Sequence, residues 1–248
     1  NGSGSDRAAL VGSIDQSTTG LVRATNIASP RFVREPADFS TQAVANAVQA
    51  TSGPSANQEL EVRQRSSGAL VEADTGIYAG NGWNLAARAH AGGNQAGFYN
   101  QGGSLVPTTD QANNAFIRSE AELSSYDFGK ATAAATAIAN DVSVGNNDIY
   151  VDIDNTQLNS GGVEATASFV GQKGYDAYVG ANAAGNSVTG YACAECVGDL
   201  NARNVQTNSG NVSAMVTSTI NGNGRNVIAG ANAVGNTATF YVTQTGGN

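Results

Sequence analysis

Cationic side chains are scarce in this chain. Twelve lysines and arginines, of which only Lys130 and Lys173 are lysines, stand against twenty acids and give a net charge of −8. A nucleic-acid role needs a concentrated basic surface, so that class is excluded. Long apolar runs are also missing. The longest, around residues 131–139, is short and interrupted by threonine, and no transmembrane segment is expected. Histidine occurs once, at His90, and neither a G-x-S-x-G elbow nor a G-x-x-x-x-G-K-[ST] phosphate cradle is present. The chain is therefore not expected to be an enzyme. Aromatics make up 6% and charged residues 13% of the composition, against 31 glycines and abundant Ala, Asn, Thr and Ser. A wide globular core is hard to fill with such residues, whereas a narrow one of thin stacked Ala, Val and Ile layers is feasible. The two cysteines, Cys193 and Cys196 in C-A-E-C, are expected to form a small disulfide pinning a turn in an exported protein. Zinc would need two further ligands, and a redox pair would need a strand-to-helix context that is not evident. The first residue, Asn1, fits a mature secreted chain whose leader has been removed, or a fragment.

What is present is repetition. Residues 230–241 read G-A-N-A-V-G-N-T-A-T-F-Y, and residues 180–191 read G-A-N-A-A-G-N-S-V-T-G-Y. Weaker copies place Asn46, Asn94, Asn140, Asn186 and Asn236 at steps of 48, 46, 46 and 50 residues. A second marker keeps the same phase: Gln16, Gln64, Gln111, Gln157 and Gln206 follow at 48, 47, 46 and 49, and each precedes its asparagine by 29 or 30 residues. The reading is five degenerate units of about 48 residues, starting near 16, 64, 111, 157 and 206. They form a single β-repeat domain over 16–248, and residues 1–15 are a flexible N-terminal arm.

The units read as strands. In the fourth, Val163, Ala165, Ala167 and Phe169 alternate with polar residues, and Ala177, Val179, Ala181 and Ala183 do so after the glycines at 171–174; the fifth unit matches. Three strands per unit and fifteen in all are expected. Two windows also fit helices, residues 130–140 for their alanines and 36–48 for Pro36 and Asp38, but the marker they carry favours strand. Pro30, Pro36, Pro54 and Pro107 are expected between strands. The recurring Gly-Asn pair is either a two-residue hairpin turn, making an antiparallel meander folded as a sandwich or barrel, or a corner of a coil whose asparagines stack. Persistence of Gln and Asn while their neighbours drift favours stacking, hence an all-β β-solenoid.

Three other features offer chemistry. In residues 146–155, N-N-D-I-Y-V-D-I-D-N, a strand puts Asp148, Tyr150, Asp152 and Asp154 on one face. The three carboxylates suit calcium if an adjacent strand adds ligands, and otherwise form a solvated, charged face. Tyr99, Tyr191 and Tyr241 each fall five residues after a marker asparagine and should stack, as packing or as a sugar platform. His90 shares a strand face with Arg88 and reads as an exposed strand residue.

The Thr/Ala block K-A-T-A-A-A-T-A-I-A-N-D-V-S-V-G-N at 130–146, the recurrent A-x-A-x-G-N, the Gln-led turns and the Cys pair resemble the holdfast anchor protein D family of stalked bacteria. More loosely, the Gln and Asn positions resemble those of curlin-like surface fibres. The resemblance implies an exported, envelope-attached protein that ties an adhesive polysaccharide to the cell pole, and it implies no catalytic residues. The expected function is a secreted bacterial surface structural protein that forms or joins an adhesive fibre or anchor scaffold by strand-edge self-association. Its expected partners are further copies of itself, envelope anchor proteins and surface polysaccharide. The alternative is a carbohydrate-binding or carbohydrate-degrading β-solenoid using Asp148, Asp152, Asp154 and the tyrosines.

Overall fold

A computed structural model of the chain describes residues 8–54, 56–147, 150–192 and 199–243. The described residues contain thirteen β-strands and no helix. One sheet orders β1 (Ala9–Thr18), β5 (Asn57–Ser66), β7 (Ser104–Asn113), β9 (Tyr150–Asn159) and β11 (Asp199–Asn208) side by side. The other contains β2 (Val22–Ala28), β3 (Phe32–Val33), β4 (Ala37–Ser52), β6 (Leu70–Asn100), β8 (Phe116–Asn146), β10 (Val163–Ala192), β12 (Val212–Ile220) and β13 (Asn226–Val242). Every pairing among the described residues is parallel, and neither sheet closes. This excludes the antiparallel meander. Partners lie one sequence period apart, as in Gln64 opposite Gln16 and Asn140 opposite Asn94.

A 31-residue strand such as β8 would span about 100 Å if straight. It is bent instead. Buried residues fall on odd positions from Ile117 to Ser125, and Phe128 and Gly129 are then buried together. Odd positions resume from Ala131 to Ala139, and after Asn140 the phase shifts to Val142 and Val144. The fold-back is visible in hydrogen bonds: Thr136 N donates to Ser119 Oγ at 3.2 Å, and Thr75 Oγ1 donates to Arg88 O at 2.7 Å, thirteen residues on. The first two limbs of β6, β8 and β10 enclose an alanine-rich core with Ile77, Ile117, Leu123 and Phe169. Their last limb packs against the other sheet through Phe98, Val142, Val144, Val151 and Ile153. Alanine fills most of this interior because facing limbs lie too close for larger side chains in every layer.

Several sequence expectations change. Thirteen strands replace fifteen, because the glycine-rich stretch at 171–174 and the Gly-Asn pairs bend a strand rather than break it. Parallel neighbours on both sides keep the backbone bonded through those bends. Both helix-compatible windows are strand, within β4 and β8. Ala9–Asp15, read as part of a flexible arm, belong to β1 and pair with Asn57–Arg63, since the edge of β5 supplies bonds their own pattern does not advertise. Pro107 lies inside β7 rather than between strands. There β7 stays paired with β5 through Leu60, but its pairing with β9 lapses at Val106 and Pro107 and resumes in the same register at Thr108, as a residue without an N–H allows. Gly103, in the turn before β7, takes φ of 96°, where a side chain would be strained.

Candidate assembly surface

The marker amides form two columns. In the first, Gln64 Nε2 donates to Gln16 Oε1 at 2.8 Å, Gln111 to Gln64 at 2.8 Å, Gln157 to Gln111 at 2.9 Å and Gln206 to Gln157 at 2.7 Å. In the second, Asn46 Nδ2 donates to Asn94 Oδ1, Asn94 to Asn140 and Asn140 to Asn186, each at 2.8 Å, and Asn186 to Asn236 at 2.7 Å. The spare N–H groups join the sheets. Each glutamine also donates to the carbonyl just after its asparagine: Ala47, Gln95, Asp141, Ser187 and Thr237. Asn46, Asn94, Asn140 and Asn186 donate to the carbonyls of Arg65, Ala112, Leu158 and Thr207. Interior members such as Gln111 and Asn140 are fully buried, and only a side chain carrying both donor and acceptor satisfies neighbours above and below.

The columns have opposite polarity: glutamines donate toward the N-terminus and asparagines toward the C-terminus. Their ends are therefore unlike. At the C-terminal end Gln206 Oε1 receives no hydrogen bond and Asn236 Nδ2 gives none among the described residues. At the N-terminal end Gln16 Nε2 uses one N–H, on Ala47 O at 3.1 Å, while Asn46 Oδ1 accepts from Thr18 Oγ1 at 2.8 Å. Around these groups both terminal edges are open. Most of β13 is exposed, as are β1, β2, β11 and β12 on alternate residues or more. Val227, Ile228, Met215 and Val242 are exposed at one end; Leu10, Val11, Leu21 and Ile27 at the other. Long edges carrying unpaired amides and apolar side chains are templates for further strands.

The other sequence candidates fall elsewhere. Tyr99, Gly145, Tyr191 and Tyr241 share one column, with Tyr191 and Tyr241 stacked at 5.7 Å. Asp152 and Asp154 lie on the outer face of β9, where Tyr150 donates to Asp152 at 3.0 Å and Arg203 to Asp154 at 3.0 Å. Asp148, Cys193 and Cys196 lie outside the described residues. No group of three His, Cys, Asp or Glu residues suited to a metal occurs among the described residues. His90 is half-buried and its Nε2 meets Gln95 Nε2 at 2.8 Å; burial holds its pKa below the ordinary value, against the pull of Asp141. Burial pushes the Asp141 carboxyl up.

Sequence reasoning missed further columns, among them Thr109, Asn155 and Asn204, linked at 2.6 and 2.7 Å, and two others. Asn113, Asn159 and Asn208 are linked at 2.8 and 2.7 Å, and Ser52 donates to Asn100 at 2.8 Å. The Asn113 column was detectable, since each of its members follows a marker glutamine by two residues.

In comparisons with known proteins, the family model described as Holdfast attachment protein D matches residues 1–162. No curated protein and no solved structure matches.

Proposed function

The chain belongs to the holdfast attachment protein D family, and from that premise we propose that it is a structural element of an adhesive cell-surface anchor, a five-coil β-solenoid that extends head to tail through its terminal strand edges. The observation that carries this reading is the complementarity of the column ends. Gln206 Oε1 of one copy matches the spare Nε2–H of Gln16 in the next, and Asn236 Nδ2 matches Asn46 Oδ1, with the polarity found between coils inside the chain. Stacking in that register continues both parallel sheets and covers the exposed apolar residues at both ends. On this reading the protein acts by association, without catalysis or a cofactor, and works outside the cell.

Sedimentation and negative-stain microscopy across a concentration series test it. Oligomers that lengthen with concentration are expected. The double substitution Gln206→Leu with Asn236→Leu removes both amide joins, and at about 1 kcal/mol per hydrogen bond it should weaken association at least tenfold. Monodisperse monomers at every concentration would refute the proposal.

A further inference from the structure

The bend between the first and second limbs carries a surface that neither the columns nor the edges use. A cleft of about 830 Å³ runs along it through successive coils. Register aligns Phe32 with Asn81, Asn81 with Asp127, and Asp127 with Lys173. Beside this row stands a second, in which Trp83 and Tyr175 flank Gly129 and Arg225 follows.

The aromatic rings are held in place yet uncovered. A Cβ on Gly129 would come within 3.0 Å of the Trp83 indole, so the indole lies across that glycine, and it meets Tyr175 edge to face at 6.0 Å. The Arg225 guanidinium lies 5.2 Å from the Tyr175 ring centre and is anchored by Asp176. Even so, Trp83 is 59% and Tyr175 49% exposed. Large aromatics fixed at the surface without cover mark a binding site.

Polar groups around the rings decide the occupant. Asn81, Asp127, Lys173 and Asn223 line the same cleft and offer donors and acceptors at every coil. A buried apolar peptide anchor would need a closed, desolvated pocket, and this one is open and amide-rimmed. A sugar ring presents an apolar face of C–H groups and an equator of hydroxyls, and an aromatic platform edged with amides and charges meets both at once. Neither Arg34 nor Lys173 has a carboxylate partner among the described residues, although acids dominate the chain. Because strands recur about every 4.8 Å, five coils give a cleft roughly 20 Å long.

We propose that this cleft binds a polysaccharide strand, with pyranose rings laid on Trp83 and Tyr175 and with carboxylate-bearing sugars favoured by Arg34 and Lys173. Trp83, Gly129 and Tyr175 lie in the interior strands β6, β8 and β10, so this platform stands or falls apart from head-to-tail assembly. Trp83 is the sole tryptophan of the chain, which makes its emission a direct reporter. Titration with a β-1,4-linked glucose hexamer and with a uronic-acid hexamer should give a saturable blue shift, at lower concentration for the uronate. Tyr175→Ala keeps the reporter and should weaken binding about tenfold or more, with unchanged circular dichroism and unchanged sedimentation. Lys173→Ala should weaken the uronate hexamer more than the glucose hexamer. No emission change with either hexamer up to millimolar concentration would overturn the proposal, as would binding that Tyr175→Ala leaves intact.

Discussion

Replacing Asn140 by leucine is the sharpest test of what holds the parallel strands in phase. Leucine is close to asparagine in volume, so the change removes polarity without opening a large cavity. Asn140 accepts from Asn94, donates to Asn186, and donates to Leu158 O at 2.9 Å. Without it, one Nδ2–H of Asn94 and Oδ1 of Asn186 are left buried and unpartnered, and both residues are 0% exposed. Each such group costs about 1–3 kcal/mol, so Asn140→Leu should destabilise by about 4 kcal/mol. For a chain of this length that lowers the melting temperature by about 8–16 °C. Asn236→Leu removes the same residue type from the exposed end of the column and orphans a single group, one Nδ2–H of Asn186, so it should cost about half as much. Denaturant unfolding gives both values. Hydrogen exchange should show the amides of β8 and β10 opening first in the interior variant. An Asn140→Leu chain within about 1 kcal/mol of the parent, or an equal loss from Asn236→Leu, would refute the reasoning.

Other substitutions probe separate parts of the fold. Burial, and then the neighbouring Glu122, raise the Glu120 carboxyl above its ordinary pKa, so its ionised form is disfavoured in the folded state. Such a group stabilises fully below its unfolded pKa and loses that contribution as pH rises through its folded one. Glu120→Gln should therefore raise the unfolding midpoint at about pH 7 and leave it unchanged near pH 3; equal gains at both would count against it. Phe169 is fully buried, edge to face with Phe128 at 4.9 Å, so Phe169→Ala should cost about 3–5 kcal/mol in denaturant unfolding. Ser66 faces Asn113 in register, but its Oγ and Asn113 Oδ1 are both buried without partners. Ser66→Asn should extend that column by one strand and raise stability by up to about 1 kcal/mol; a lower midpoint would show that the site cannot take the larger side chain.

The sequence disclosed those parts of the fold where self-pairing constrains residue identity. An asparagine at 140 must satisfy asparagines at 94 and 186, so its type recurs with the spacing of paired strands, and counting intervals finds it. Positions 83, 129, 175 and 225 occupy one column as well, but tryptophan, glycine, tyrosine and arginine there face outward and need not match. Nothing in their order shows that Trp83 and Tyr175 meet; only the register brings them together. The β1 strand was hidden for a related reason: its bonding comes from β5, and Ala9–Gly12 are exposed on both faces, without the alternation that marks a strand. Bends were read as breaks because glycine at 171–174 signals a turn when a strand is considered alone, whereas in β10 Gly171, Lys173 and Gly174 pair with β8, Gly171 also pairs with β12, and Gly174 N donates to Asn223 O at 3.0 Å.

Polarity, more than composition, distinguishes the two ends of the molecule. Toward the N-terminus the asparagine columns run into hydroxyl residues: Thr18 donates to Asn46, Ser66 stands before Asn113, and Ser52 donates to Asn100. An amide oxygen accepts two hydrogen bonds, so Thr18 leaves Asn46 Oδ1 able to accept a second. At the C-terminal end Asn236 and Gln206 each keep an unpaired amide group among the described residues. In the proposed assembly an incoming copy therefore meets a directional surface: head-to-tail stacking continues both columns, whereas two C-terminal ends would set acceptor against acceptor at Gln206 and donor against donor at Asn236. Edge pairing alone tolerates slippage along a strand. Two antiparallel columns of amides anchored in different sheets do not, because a shift that preserves one breaks the other. The residues that keep the parallel strands in phase within one chain are therefore, in the proposed assembly, the ones suited to set the phase between chains.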